Sequence, residues 1–434
     1  MLLFVAIPVF AQQASESNCS AGRWQEVSKD IFVAFDNDPV HSITNRATKN
    51  FNEYEMTRCF YQKVGRDEYD LIFYGQSLSA TSPIPSAYFL RAMNASAGTG
   101  AERHDGSYAF GSKGVLMGVG RVPDSYLVNP MLPLGNWQLN LVAHEFGHAK
   151  CCFIGLKKTY SPFNLFTDDA GHWSKFLGRI ADGDQGPHSC SLMLARAFLK
   201  DANGYFVEDG CPADDLKSFS ELSLYLWGFK SFEEIRTKRF PLVSAKGVAE
   251  TVSRYRAPLE KWVSVEDLAS ENGELVWPTP DITERHLRAA LIFVVVPGTD
   301  PSKIVGMIEQ FQKFAEAIPA YWAKATNGES TINDYRFLHP RLSVTKDYDK
   351  TGESFYQPGE QLTIRLVGGP PRTSGKFFGF DGEYQYSLVI TTDERGEAVF
   401  SAVPSEQDIK TWSAIVSFGN KVSSNAIVFH VRWY

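Results

Sequence analysis

No block of lysine or arginine interrupts this chain. Its 43 basic residues stand against 50 acidic ones, for a formal charge of −7, so the electrostatic footprint of a protein that grips nucleic acid or an anionic membrane is absent. Nor does any apolar run approach the roughly 20 residues needed to cross a bilayer. The stretch RAALIFVVVPG (288–298) is strand-length and β-branched, which suits a buried strand. Cysteine is sparse: six residues, none spaced CxxC, which argues against a cysteine zinc site. No 20–50-residue repeat is visible, which argues against a solenoid. What remains is a composition 44% apolar and 21% charged over 434 residues. That is globular, and long enough for about two or three domains.

The chain opens MLLFVAIPVFAQQ, an apolar run ending Val9-Phe10-Ala11. It reads as a secretory signal over residues 1–11 that lacks a basic n-region; a buried N-terminal strand is the alternative. Export permits disulfides. Cys190–Cys211 is the expected local bridge and Cys19–Cys59 the next. Adjacency strains Cys151 and Cys152 against a normal bridge with each other.

Strand-like runs fall at 30–37, 69–75, 86–94 and 114–122, with an amphipathic helix at 45–65. Residues 219–235 read as a helix and then a turn at Gly228. Further strands are expected at 261–270 and 288–296. The segment 300–326 reads as a long helix with Asp300 as N-cap and Pro301 at N1, broken or kinked at Pro319. Asp201-Ala202-Asn203-Gly204 reads as a hairpin turn rather than a calcium loop, since the remaining ligands are missing. Beyond about residue 340, short alternating strands separated by turn residues predict an antiparallel β-sandwich of about a hundred residues.

The most informative stretch is LVAHEFGH (141–148). At 3.6 residues per turn, His144 and His148 lie one above the other, so both imidazoles can reach one zinc ion. Glu145, beside the first, is placed to take a proton from a water that zinc acidifies and return it to the leaving amine. In a chain with nine histidines the pattern arises by chance on the order of one time in a hundred. The alternative is an ordinary core helix, but two histidines and an acid are costly to bury without a metal or full hydrogen bonding.

A zinc site needs a third ligand. The metzincin extension would require glycine and histidine where this chain has Cys151 and Ile154. His172 is the first candidate, because imidazole is the commonest partner for two histidines. Asp168 or Asp169 is the alternative, and His188 reads better as part of a bridged turn. Met193 could form an apolar floor beneath the histidines or be plain core. Tyr225 could offer a phenol to an oxyanion, though packing in the core is the simpler account.

Through His144-Glu145-Phe146-Gly147-His148 the chain resembles the zincin metallopeptidases. More narrowly, it resembles a group of secreted bacterial HExxH proteins, by YDLIFYG (69–75), GHWS (171–174), LYLWG (224–228) and KATNGE (324–329) in that order. Trp227 departs from the methionine common in that group, and Cys151-Cys152 follow the motif directly. The resemblance implies an α+β zincin-like catalytic domain over 20–337, its active helix beneath a twisted mixed sheet. Zn2+ would be held by His144, His148 and His172, with Glu145 as general base acting on a protein or peptide substrate. The segment 340–434 resembles the immunoglobulin-like modules of secreted bacterial proteins. The whole is then expected to be secreted or at the cell surface. The rival expectation is a surface binding protein whose zinc site is structural or degenerate.

Overall fold

In a computed structural model of the chain the described residues are 22–36, 44–45, 50–77, 87–99, 102–122, 134–152, 167–169, 172–173, 177–180, 192–193, 196–209, 217–244, 248–251, 254–344, 355–419 and 422–432. The expected signal, Cys19, Cys190, Cys211 and His188 lie outside them.

Strands β1 (Arg23–Ser28), β2 (Ile31–Phe35), β3 (Leu71–Gln76), β4 (Tyr88–Arg91), β5 (Gly118–Arg121) and β6 (Ala289–Val295) form one mixed sheet in the order β1-β2-β6-β3-β5-β4. The four inner strands are parallel and the two outer ones antiparallel to their neighbours. Period-2 alternation splits the sheet's side chains between two cores. Ile31, Val33, Leu71, Phe73, Leu291 and Phe293 face one core. Phe32, Ala34, Ile72, Tyr74, Ile292 and Val294 face the other. All seven residues of β6 are buried, which explains its unbroken apolar reading.

Helix α1 (Glu53–Val64) covers the second face with Met56, Phe60 and Tyr61. It is shorter than the 45–65 expected. The Asn52 side chain accepts the Glu55 N–H and starts the helix, and Gly65, at φ 68°, ends it. Helices α2 (Asn136–Gly147) and α3 (Pro301–Ala325) cover the first face. Asp300 caps α3 as expected. Pro319 does not end the helix: Phe311, Phe314, Ile318, Tyr321 and Trp322, buried on both sides of it, hold the two halves on one core. The strand expected at 261–270 stops at Val263 and gives way to a helix, Val265–Asn272. There Ser264 Oγ accepts the Asp267 N–H while Asp267 accepts the Ser264 N–H, a capping box that the apolar pattern hid. At Asp201 the carboxylate accepts the Asn203 and Tyr205 N–H groups and pairs with Arg256, in the turn of a hairpin between Arg196–Lys200 and Phe206–Asp209.

Arg341–Val344 (β7), Phe355–Tyr356 (β8), Leu362–Val367 (β9), Ser374–Phe380 (β10), Gln385–Thr391 (β11), Ala398–Ala402 (β12), Thr411–Ser417 (β13) and Ile427–Val431 (β14) make two sheets, β7-β9-β12 and β8-β14-β13-β10-β11. Leu342, Ile364 and Leu366 of one meet Val416, Ile427 and Phe429 of the other in a common core. This sandwich sits firmly on the rest of the chain. Arg341 reaches both Asp70 and Glu284 at 2.7 Å. Asn425 donates to the Gly114 carbonyl and Ser413 to that of Ala95. The Trp277 ring stacks on Phe380 at 5.7 Å. The molecule is therefore mixed α+β and rich in sheet.

Candidate metal centre

Helix α2 turns Leu139, Val142, Ala143 and Phe146 into the core, the i, i+3, i+4, i+7 face of an amphipathic helix. Phe146 sits edge-on to both Phe73 and Trp322. This anchoring leaves His144 and His148 together on the other side, their ring centres 4.9 Å apart.

His172 joins them from a ribbon of two short strands, Thr167–Asp169 and His172–Trp173. Its ring centre lies 5.3 Å from that of His144 and 4.7 Å from that of His148. One ring nitrogen from each histidine falls within 4.8 Å of the other two, a group that could hold a metal ion. The ribbon is fixed by its neighbour: Trp173 is buried and its Nε1 donates to Ser223 Oγ at 3.1 Å. Asp168 and Asp169 share the ribbon but are outside the residues whose side chains the structure describes.

The orientation of His144 follows from its partners. Its Nδ1 lies 2.6 Å from the Leu192 carbonyl, which can only accept, so Nδ1 is the donor there and Nε2 is the nitrogen turned to His172. That Nε2 is 3.2 Å from His172 Nε2. A backbone carbonyl orienting a ligating histidine is a common outer-shell arrangement in metal sites.

Glu145 is 4% exposed, and its Oε2 has no hydrogen-bond partner among the described residues. Burial pushes its carboxyl up to about 8. Strand β5 passes directly above it: a Cβ on Gly120 would lie 3.6 Å from Glu145 Cβ. The carboxylate is thus buried between sheet and helix, on the residue that follows His144.

Gly147 admits a floor. A Cβ there would lie 2.6 Å from Met193 Sδ and 2.8 Å from Phe219 Cε1, so Met193 packs against the helix at Gly147 as part of the main core. Gly147→Ala is expected to cost about 1–3 kcal/mol by overpacking, measurable as a lowered urea midpoint with unchanged m-value. Tyr225 is buried in the core, and its hydroxyl accepts the Leu275 N–H at 2.6 Å. Trp227 donates from Nε1 to the Gly147 carbonyl at 3.3 Å and so helps satisfy the helix end.

Cys151 and Cys152 correct one expectation, for they bridge each other. The chain turns sharply as α2 ends: the Cys151 N–H bonds the Gly147 carbonyl, and Cys152 adopts φ 98°. The two Cα atoms thereby come within 3.5 Å. That backbone conformation is unfavourable for a residue with a Cβ, and adjacency alone gave no sign of it. Cys59 is also disulfide-bonded.

Sequence reasoning did not find the Leu192 carbonyl or Ser223. A backbone acceptor carries no residue signature, and Ser223 is one hydroxyl in a helix with nothing to mark its reach to Trp173.

No family model and no curated protein matches this chain. Among solved structures, macromomycin is similar at 13% identity over 21% of this chain and 99% of that one, with a TM-score of 0.18. The human OSCAR ligand-binding domain is similar at 13% identity over 23% of this chain and 50% of that one, with a TM-score of 0.16. Neither likeness bears on fold or chemistry at these scores.

Proposed function

We propose that the chain is a secreted zinc-dependent endopeptidase with a zincin-like catalytic domain and an immunoglobulin-like C-terminal module. The observation that carries this reading is the convergence of three imidazoles, His144, His148 and His172, two of them on the helix that also carries the buried Glu145. Zn–N bonds of about 2.0–2.1 Å in tetrahedral geometry require ligand nitrogens about 3.3 Å apart. The 3.2 Å between His144 Nε2 and His172 Nε2 fits that requirement. Three imidazoles are also a typical protein donor set for catalytic zinc.

When bound, the ion supplies Lewis acidity. The chain's own groups do the rest. Leu192 fixes the tautomer of His144. Trp173 and Ser223 hold the ribbon that brings in His172. Glu145 takes a proton from the attacking water and delivers it to the leaving amine, and a raised affinity for protons suits that exchange near neutral pH. Strand β4 borders the helix, and its outer side has no partner strand among the described residues. An extended peptide can add there through main-chain hydrogen bonds. The disulfides support an oxidising compartment, hence secretion.

A second reading has one observation in its favour. An apolar cleft of about 250 Å³ opens in the C-terminal sandwich, lined by Phe377, Tyr386, Leu388, Phe400 and Trp412 among others. A surface binding protein could work through it and keep the ion for structure alone. The test is metal analysis of purified protein, followed by cleavage of casein and a peptide library with and without chelator. One zinc per chain, chelator-sensitive cleavage, and loss of both in His148→Ala is the expected result. Zinc without cleavage favours the binding protein, and the absence of stoichiometric metal overturns the metallopeptidase reading.

A further inference from the structure

The C-terminal sandwich is open along one side. Its five-stranded and three-stranded sheets end there in β11 and β12, and both strands border the apolar cleft. Strand β11 pairs with β10 along its whole length, from Gln385 opposite Phe380 to Thr391 opposite Ser374, without a bulge. Its other edge has no partner strand among the described residues. Strand alternation turns Ile390, Leu388 and Tyr386 toward the sandwich interior. Ile390 is buried in the shared core, but Leu388 is 52% exposed and Tyr386 51%. Val389, on the opposite face, is 64% exposed, and Tyr384, just before the strand, is 62% exposed.

Natural sheets blunt a free edge with charge, proline, a bulge, shortness or a cover, because unpaired backbone groups invite another strand. Strand β11 carries none of these devices. It reads QYSLVIT, seven residues without charge, proline or glycine, and six of the seven are exposed.

We infer that two copies of this chain associate through β11, antiparallel about a two-fold axis, joining their five-stranded sheets into one. The inference is independent of the peptidase reading. A second copy suits this edge in charge and in size. The strand holds no charge, so pairing with itself sets no like charges face to face. The charges flanking it are matched within each copy: Lys410 pairs with Asp381 and Glu383, and Arg372 with Glu394. A two-fold axis makes the contact self-complementary and closes it at two chains. Half of an aromatic side chain is about 100 Å², so Tyr384, Tyr386, Leu388 and Val389 offer on the order of 400 Å² per copy before backbone is counted. Two copies with their strand backbones reach the roughly 1,000 Å² that a specific interface clears. Inner-facing Tyr386 and Leu388 then lie beside side chains of the partner strand, which cover apolar surface that the three-stranded sheet leaves open.

The experiment is sedimentation equilibrium of the full-length protein from about 0.1 to 100 µM, the span in which a small interface dissociates. Wild type is expected to reach the mass of two chains within that span. Leu388→Lys and, separately, Val389→Glu are each expected to raise the dimer dissociation constant at least about 10-fold, since each carries a charge into the strand pair. Val389→Glu keeps the fold testable, because Lys376 stands opposite residue 389 on β10 and supplies a partner within the same chain. Val305→Lys, an exposed change on α3, is expected to leave association unchanged. A second readout locates the contact. Among Tyr386→Cys, Ser387→Cys, Leu388→Cys and Val389→Cys, the position nearest the two-fold should cross-link two chains on mild oxidation, since directly paired Cβ atoms stand about 4.5–5.5 Å apart. A wild type that stays monomeric throughout overturns the inference. So does a dimer that neither edge variant weakens and no β11 cysteine cross-links. A monomer that takes up an unrelated extended peptide along β11 overturns it in favour of a foreign strand.

Discussion

Glu145→Gln is expected to keep a full complement of bound metal and to lower kcat by on the order of 10²–10⁴, the usual contribution of a positioned general base. Glutamine has the shape of the carboxyl it replaces but cannot accept and return a proton. The site's construction makes the expectation sharp. Glu145 is buried between β5 and α2, and its Oε2 has no partner among the described residues. No salt bridge or hydrogen-bond network is therefore known to collapse when the charge is removed, and folding should be preserved. The three histidines are untouched, so metal content separates a lost base from a lost site. Unchanged turnover with the metal retained would sink the general-base role. In that case another group moves the proton, and the base is to be sought elsewhere around the three histidines.

Arg341→Leu is expected to destabilise the protein by about 3–5 kcal/mol near pH 8, the cost of leaving buried charges uncompensated. Against a typical total of about 5–15 kcal/mol, that brings the chain close to unfolding under mild conditions. Arg341 begins the first strand of the sandwich, yet its guanidinium is buried between Asp70 and Glu284 of the α/β part. Arg288 also gives its backbone N–H to Asp70. Lys150 faces the same carboxyls, and burial holds its ammonium down to about 8. Burial first, and then Asp70, pushes the Glu284 carboxyl up to about 8; burial raises Asp70 as well, against the pull of Arg341.

The pH dependence follows from those directions. A carboxyl whose pKa is raised on folding keeps its proton after the unfolded chain has lost it, so its contribution to stability falls as pH rises from about 4.5 to about 8 for Glu284. Without Arg341 both carboxyls rise further and the fall steepens. The variant should lie closest to wild type near pH 5 and farthest near pH 8, as measured by urea denaturation at both. An equal loss at the two pH values would mean that packing, and not charge compensation, sets the role of Arg341.

Much of this arrangement was readable before any coordinates. The 3.6-residue period placed His144 and His148 on one side of a helix whose apolar residues face the other way. Apolar runs of strand length marked most strands of the first sheet, alternating runs marked most of those in the sandwich, and Asp300-Pro301 marked the start of α3. These features are local: each depends on residues a few positions apart and on backbone geometry that every chain shares. Where a local signal was masked by another, the reading slipped. The apolar spacing of 261–270 hid the Ser264–Asp267 box, and the helical pattern before Asn52 extended α1 too far.

Other features had no local signature. His172 stands 24 residues beyond His148, and sequence left it in competition with Asp168 and Asp169. Only the ribbon, pinned by Trp173 on Ser223, brings its imidazole to the pair. The Leu192 carbonyl, the bridge between Cys151 and Cys152, and the seating of Arg341 between Asp70 and Glu284 all depend on where distant segments come to rest. The reason is physical: the helix period and strand alternation specify which side chains share a face, but burial and convergence are properties of the packed whole. In this protein the sequence sufficed for two of the three imidazoles and the acid beside them; folding alone brought in the third imidazole, the burial of Glu145 between sheet and helix and the attachment of the sandwich.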